Sequence, residues 1–344
     1  MRDRRYKKLT VRAFAVGTGL SVIVGTFAAP LTTMAAAKDM EKPVVLRVCN
    51  WEEYEGGWED DELINLPSED IFGENSLVSD FEEWYYETYG VPVKVEYSTF
   101  GTNEELYSQL NLGNEYDLVC PSDYMIMKLM KENKLEPLSD EFFDDSNENN
   151  YYVKGVSPYI DGVFHENEID GEPWSDYAAG YMWGITGMVY NPEEVTEEEA
   201  STWSILENEK FYRQVTIKDN VRDAYFPTLA ILNKDLLNST GLRNRSDYHE
   251  QLSAIMNDTR KETIDESEQK LKEIRQNVYS FETDSGKADM ITGKVVANLQ
   301  WSGDGVYTMD QAEDDDFYLD WAVPEECTNL WFDGWVMLKS GIGE

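Results

Sequence analysis

Short apolar runs and helix-period stretches alternate along this chain. Val44, Val45, Leu46 and Val48, within residues 43–50, form the continuous apolar run that a buried strand needs. Residues 77–89 follow with apolar positions at helical spacing, stopped by Gly90. Residues 91–97 predict a second strand, 104–112 a helix, 116–119 a third strand and 123–133 another helix. That alternation implies an α/β layer with a parallel sheet. Residues 56–75, acidic and glycine-bearing, predict a long loop inserted after the first strand, where α/β proteins keep ligand contacts. Residues 140–176 are polar and weakly periodic and predict surface connections around a boundary between two parts. A second alternation then runs through strands at 181–190 and 215–218, helices at 221–237 and 264–276, and strands at 278–282, 295–300, 319–323 and 330–338. No internal repeat recurs at a fixed period.

A length of 344 residues exceeds what one core comfortably serves, so two lobes are expected. The charge narrows the partners. With 68 acidic against 29 basic residues and a formal charge of −39, binding to a phosphate backbone is excluded as a function class. The basic residues are not evenly spread. Arg2, Arg4, Arg5, Lys7, Lys8 and Arg12 precede an apolar stretch over 13–29, and Ala35, Ala36 and Ala37 follow. Those are the three parts of a secretory signal over residues 1–37, which places the chain outside the cytoplasm, in the periplasm or on the outer face of the membrane. Whether the segment is cleaved or stays as an anchor is open at this stage, since the apolar stretch carries Gly17, Gly19 and Gly25. Cys49, Cys120 and Cys327 fit neither a disulfide framework nor a metal-binding spacing. They read as buried thiols, with a Cys49–Cys120 bridge as the alternative. No cofactor and no metal site is expected.

Aromatic and acidic residues coincide where strands end. Asn50-Trp51-Glu52-Glu53-Tyr54 leaves the first strand and Pro121-Ser122-Asp123-Tyr124 the third, while Trp301-Ser302-Gly303-Asp304 and Trp331-Phe332-Asp333-Gly334 repeat the theme. Open α/β sheets bind ligands outside the carboxyl ends of their strands. Aromatic faces attract cations, and carboxylates fix ammonium groups by charge-assisted hydrogen bonds. A single tryptophan is ordinarily core packing, and a single acid among 68 is ordinarily solvated surface. Four such clusters at strand ends together describe a pocket for an organic amine. Two other readings compete. Tyr85-Tyr86 and Tyr151-Tyr152 offer phenolate pairs to ferric iron. An enzyme would need a paired carboxylate or a triad, and neither the acids nor His165 and His249 supply one, so the chain reads as a non-enzyme. The run from Asp144 to Glu148 lacks a calcium loop's sixth-position glycine, having Asn149 there, and reads as a solvated loop.

The ordered set Asn50-Trp51-x-Glu53-Tyr54, Tyr116-Asp117-Leu118-Val119, Pro121-Ser122-x-Tyr124, Tyr181-x-Trp183-Gly184, Val221-Arg222-Asp223, Trp301-x-Gly303 and Trp331-x-Asp333 resembles the periplasmic spermidine/putrescine-binding proteins, the substrate-binding subunits of polyamine ABC transporters. The resemblance implies a two-lobed type II periplasmic-binding-protein fold, with residues 38–182 in lobe 1, 183–330 in lobe 2 and 331–344 returning to lobe 1 across a hinge near Trp183-Gly184 and Leu330-Trp331. It implies that Trp51, Tyr54, Tyr124, Trp301 and Trp331 box the methylene chain of a polyamine, that Asp223 and Asp333 hold its ammonium ends, and that Ser122 is a polar wall. A membrane permease is the implied partner. Asn220 stands where some members carry a further acid, and Asp223 where some carry Glu. The family also continues past the strand at 330–338 with helices that complete lobe 1, so the resemblance implies an incomplete first lobe here.

Overall fold

A computed structural model describes residues 42–52 and 77–342. The signal-like segment, the loop predicted over 56–75 and Tyr54 lie outside the described residues. The strands are β1 Val44–Trp51, β2 Val93–Phe100, β3 Leu118–Val119, β4 Leu135–Glu136, the hairpin β5 Glu168–Ile169 and β6 Glu172–Pro173, β7 Ala178–Tyr190, β8 Val215–Lys218, β9 Ser280–Glu282, β10 Ala297–Trp301, β11 Asp320–Ala322 and β12 Leu330–Leu338. Apart from the separate β5-β6 hairpin, one path joins them in the order β2-β1-β3-β12-β7-β10-β8-β9, with β4 added beside β12 and β11 beside β7. β1, β2 and β3 are parallel, as are β10, β8 and β9. The long strand β7 and β12 run antiparallel between these two parallel sets. The parallel sheet expected from the first alternation is found in β1, β2 and β3, and β12 and β7 extend it as antiparallel strands, so the whole sheet is mixed.

β7 serves both halves. Up to Ile185 it pairs with β12, and from Thr186 onward with β10. Two cores form on either side of that change of partner. Cys49, Phe100, Val119, Leu129, Phe332 and Val336 fill the first. Met188, Trp203, Ile217, Leu299 and Ala322 belong to the second. The helix Leu77–Tyr89 and the strand Leu330–Leu338 coincide with the sequence pattern. The stretch 140–176 does not, because it contains the helices Tyr151–Gly155 and Pro158–Glu166. Ser157 caps the second of these and Pro158 opens it, while Ile160 and Phe164, four residues apart, enter the first core with Trp174. Three apolar residues in a polar background gave too little periodicity to read. The helix expected over 221–237 breaks at Asn233 into Val221–Leu232 and Lys234–Leu237. Helix Ser302–Asp314 also escaped the pattern, because two of its buried positions are small. A Cβ on Gly305 would lie 2.6 Å from the Trp321 ring, so the packing there requires glycine.

Candidate functional site

The strand ends place the candidate residues. Trp51 closes β1 and packs on Phe100, its cross-strand neighbour on β2, with ring centres 4.7 Å apart. Ser122 and Tyr124 follow β3, at the start of helix Asp123–Lys131. Asn103 clamps Ser122: its amide nitrogen donates to the Ser122 hydroxyl at 2.9 Å, and its amide oxygen accepts from the Ser122 backbone N–H at 3.0 Å. The Tyr124 hydroxyl donates to Glu104 Oε1 at 3.0 Å. Trp301 closes β10. Asp223 sits in the first turn of helix Val221–Leu232, where Asn220 caps the helix by accepting from the Asp223 N–H at 2.8 Å. The same Asn220 donates from its amide to Asp223 Oδ2 at 2.8 Å, and Trp301 Nε1 donates to that oxygen at 3.0 Å. Asn220 thus orients Asp223, a role its departure from the family pattern did not signal.

Trp331 and Asp333 come by another route. They open the antiparallel strand β12 rather than leave a parallel strand, which corrects the strand-end theme for this cluster. Antiparallel direction carries the start of β12 to the same edge as the ends of β1 and β3, where Asp333 bridges to Ser122. Asp333 is 2 % exposed. Trp331 lies across Gly184 of β7, and a Cβ there would fall 2.4 Å from the indole, so only glycine lets the ring lie flat. Its Nε1–H is buried and meets no acceptor among the described residues.

Contacts then close a ring. Asp123 accepts from the backbone N–H groups of Tyr124 at 2.5 Å and Phe332 at 3.3 Å, joining helix Asp123–Lys131 to β12. Ile185, next to Gly184, donates to Ser302 beside Trp301 at 3.2 Å. Arg222 places its guanidinium 5.2 Å from the centre of the Tyr124 ring, which links helix Val221–Leu232 to the Ser122–Tyr124 turn. Ser122, Tyr124, Asp223, Trp301, Trp331 and Asp333 are therefore brought together, with Trp51 at the neighbouring end of β1.

The electrostatics are those of buried acids. Burial raises the pKa of Asp223 above the ordinary carboxylate value, against its bonds from Asn220 and Trp301 and the charges of Lys218 and Arg222. Burial likewise raises Asp123, against Arg222. Tyr124 is raised too, by burial first and then by Glu104. Beneath Trp301 lies a group the sequence reading missed: Lys218, fully buried, with its ammonium 4.6 Å from the Trp301 ring, 3.4 Å from Glu282 and donating to the Thr283 carbonyl at 2.6 Å. A lysine inside an apolar strand run was the available signal, because such a charge is buried only when paired.

The other candidates lie apart. Tyr85 stacks within its own helix on Tyr89 at 4.7 Å, and Tyr152 stacks on Phe142 at 5.2 Å. Asp144 is engaged with the backbone and hydroxyl of Ser146 in a surface turn. Cys49, Cys120 and Cys327 form no disulfide with one another. Burial pushes Cys327 up to about 12. Surface cavities of about 330 and 630 Å³ flank the edge strand β9 and share no residue with the ring.

The two cores share the strand β7, with aromatic and acidic residues gathered where it changes partner. The sequence profile of the bacterial extracellular solute-binding proteins matches residues 76–341, and the chain belongs to that family. It is 24% identical over 213 residues to the spermidine/putrescine-binding periplasmic protein of Salmonella typhimurium, covering 61% of this chain and 52% of that protein. The chain thus spans about half the length of that relative. A putrescine-binding periplasmic protein of Pseudomonas aeruginosa is 23% identical over 326 residues, covering 92% of this chain and 74% of the relative. In three dimensions the chain is similar to a spermidine/putrescine ABC transporter substrate-binding protein of Streptococcus pneumoniae, with a TM-score of 0.55 at 23% identity, over 87% of this chain and 74% of the other. The fold is the two-lobed type II fold of periplasmic binding proteins. Among the described residues no helix is long and apolar enough to cross a membrane.

Proposed function

We propose that this chain captures a polyamine of the putrescine/spermidine class outside the cytoplasm and hands it to the membrane permease of an ABC transporter. The observation that carries the reading is the ring itself, in which two buried carboxylates, Asp223 and Asp333, stand with the aromatic faces of Tyr124, Trp301 and Trp331 at the crossing between the two cores. Carboxylates hold ammonium ends, and aromatic faces cover the methylene chain while attracting the cations. Both polyamine-binding relatives and the signal-like first 37 residues support the reading. The two lobes close over the ligand about the neighbouring segments Trp183-Gly184 and Leu330-Trp331, where few residues absorb the motion. Calorimetric titration of the purified chain with putrescine and spermidine tests this. Saturable binding of either amine, with compaction in small-angle scattering, is expected. Absence of binding by both would overturn it.

A further inference from the structure

The wall behind Trp301 is charged. Strands β8 and β10 run parallel, so Lys218 at the end of one and Trp301 at the end of the other reach the same edge of the sheet. Lys218 has no exposed surface, and its ammonium stands 4.6 Å from the centre of the Trp301 ring. Glu282, its register partner on β9, holds it at 3.4 Å, and the Thr283 carbonyl accepts from it at 2.6 Å. Asn298 and the Gly286 backbone N–H fix Glu282 in turn, donating to it at 3.0 and 2.8 Å. The cation is thereby tied beneath the ring. At the ring's edge, Trp301 Nε1 donates to Asp223 at 3.0 Å. A ligand cannot enter beneath a fully buried side chain, so it meets Trp301 from the face opposite Lys218.

We infer that Lys218 is a specificity-determining residue that acts through Trp301: it weakens the hold on the ammonium a ligand brings to the Asp223 end, so the site separates a diamine from a monoamine less sharply than its two carboxylates alone would. The inference rests on the amine-binding reading above. An aromatic face attracts a cation through the ring's quadrupole, and a cation already seated on one face draws on the same electrons. Its charge also repels a second cation on the other face, in surroundings that water screens poorly. Glu282 offsets part of that charge, so the effect is several-fold. Among the described residues no lysine or arginine lies over Trp331, and an ammonium at the Asp333 end keeps its full attraction. A monoamine therefore sets its one ammonium at Asp333, lays its apolar tail on Trp301 and forgoes only the weakened contact.

The test titrates putrescine and butylamine, which share a four-carbon chain and differ by one ammonium, into wild type and into the double variant Lys218→Met, Glu282→Gln, which removes the cation without stranding its partner. Lys218 also favours the ionised form of Asp223, an effect of opposite sign. The titrations are therefore run at a pH above which putrescine affinity no longer rises, with competition against putrescine for the weaker amine. The double variant should raise the ratio of putrescine to butylamine affinity by about threefold to tenfold. With Trp301→Leu added, the shift should shrink by half or more, since the ring that transmits it is gone. A merely structural role would weaken both amines together and leave the ratio unmoved. Should the double variant melt early, Lys218→Met with Glu282→Leu replaces the buried pair by apolar groups and is read in the same way. A ratio that stays or falls, or a shift undiminished without the ring, overturns the inference and leaves the amine-binding reading intact. A wild type that binds neither putrescine nor spermidine overturns both.

Discussion

Trp301 and Trp331 stand in the same ring of residues and are built in opposite ways. The indole N–H of Trp301 donates to Asp223, its ring lies over Lys218, and a network through Glu282, Asn298 and the Gly286 backbone supports that lysine from below. Trp331 is fixed by shape, lying on Gly184 with its N–H buried and unbonded among the described residues. One side of the site is wired by charge and the other is formed by close approach. An ammonium ligand is a donor and cannot satisfy the Trp331 N–H, so what this side offers it is the face of the ring and the neighbouring Asp333 carboxylate. The wired side offers a carboxylate already partly answered by the chain's own donors and cations.

The largest effect that would break this contrast concerns the wiring itself. Lys218→Met leaves Glu282 buried without its counter-charge, a loss on the order of 3–5 kcal/mol in stability. Denaturant unfolding should show it as an earlier midpoint at an unchanged slope. A variant as stable as wild type would mean that the network beneath Trp301 contributes no stability.

Next come the two carboxylates. Asp333→Asn should weaken binding of putrescine by about 2–5 kcal/mol, the usual loss on truncating one partner of a buried charge pair. Asp223→Asn should lose less, because Asn220, Trp301, Lys218 and Arg222 already answer part of its charge. The reverse order in calorimetry would show that the wired side carries the ligand's main anchor.

How much of this was legible in the sequence differs by region in the same way. Strands such as Leu330–Leu338, with dense aromatic and aliphatic content, and the helix Leu77–Tyr89, with its closing glycine, were readable from pattern alone. Trp301 and Ser122 were readable because they leave parallel strands. Trp331 and Asp333 were found by composition, but not by the rule that found the others, since their strand runs the opposite way. Helices Pro158–Glu166 and Ser302–Asp314 were not readable, because each packs on a handful of residues, some of them small. Asn103 and the pairing of Lys218 with Glu282 were out of reach for a deeper reason. Their partners lie 19 residues away for Asn103 and on separate strands for Lys218, and only the folded sheet brings those groups together.

A smaller effect separates the two rings. Trp331→Leu keeps an apolar side chain and removes the π face, so about 0.5–2 kcal/mol of cation attraction should go while the melting temperature changes little. Trp301→Leu removes a similar face but also strips Asp223 of a donor and Lys218 of its ring, so it should lower binding and stability together. Parallel titrations and thermal melts distinguish these outcomes, and equal behaviour of the two variants would dissolve the contrast.

The smallest effect is the pH dependence, and Asp223 on the wired side carries its larger part. Burial holds Asp223 and Asp123 above the ordinary carboxylate pKa of about 4 in the ligand-free protein. A bound ammonium favours the ionised form and lowers those values again, so binding releases protons at pH values between the lowered and the raised pKa. Affinity should therefore fall as pH drops through the raised value and level off above it, by no more than about 1.4 kcal/mol per pH unit for each proton coupled. Stability of the ligand-free chain takes the opposite sign from these two groups. A carboxyl whose folded pKa is raised favours folding below its unfolded pKa and loses that contribution as pH rises through the folded value, so mild acidification relieves the cost of burying the charges. Calorimetry in two buffers of different ionisation heat counts the protons, and melts over the same range read the stability. Asp223→Asn should flatten much of the binding slope, whereas Trp331→Leu should leave it unchanged. A slope that survives Asp223→Asn would assign the titration to other groups and remove the pH signature from the Trp301 side of the site.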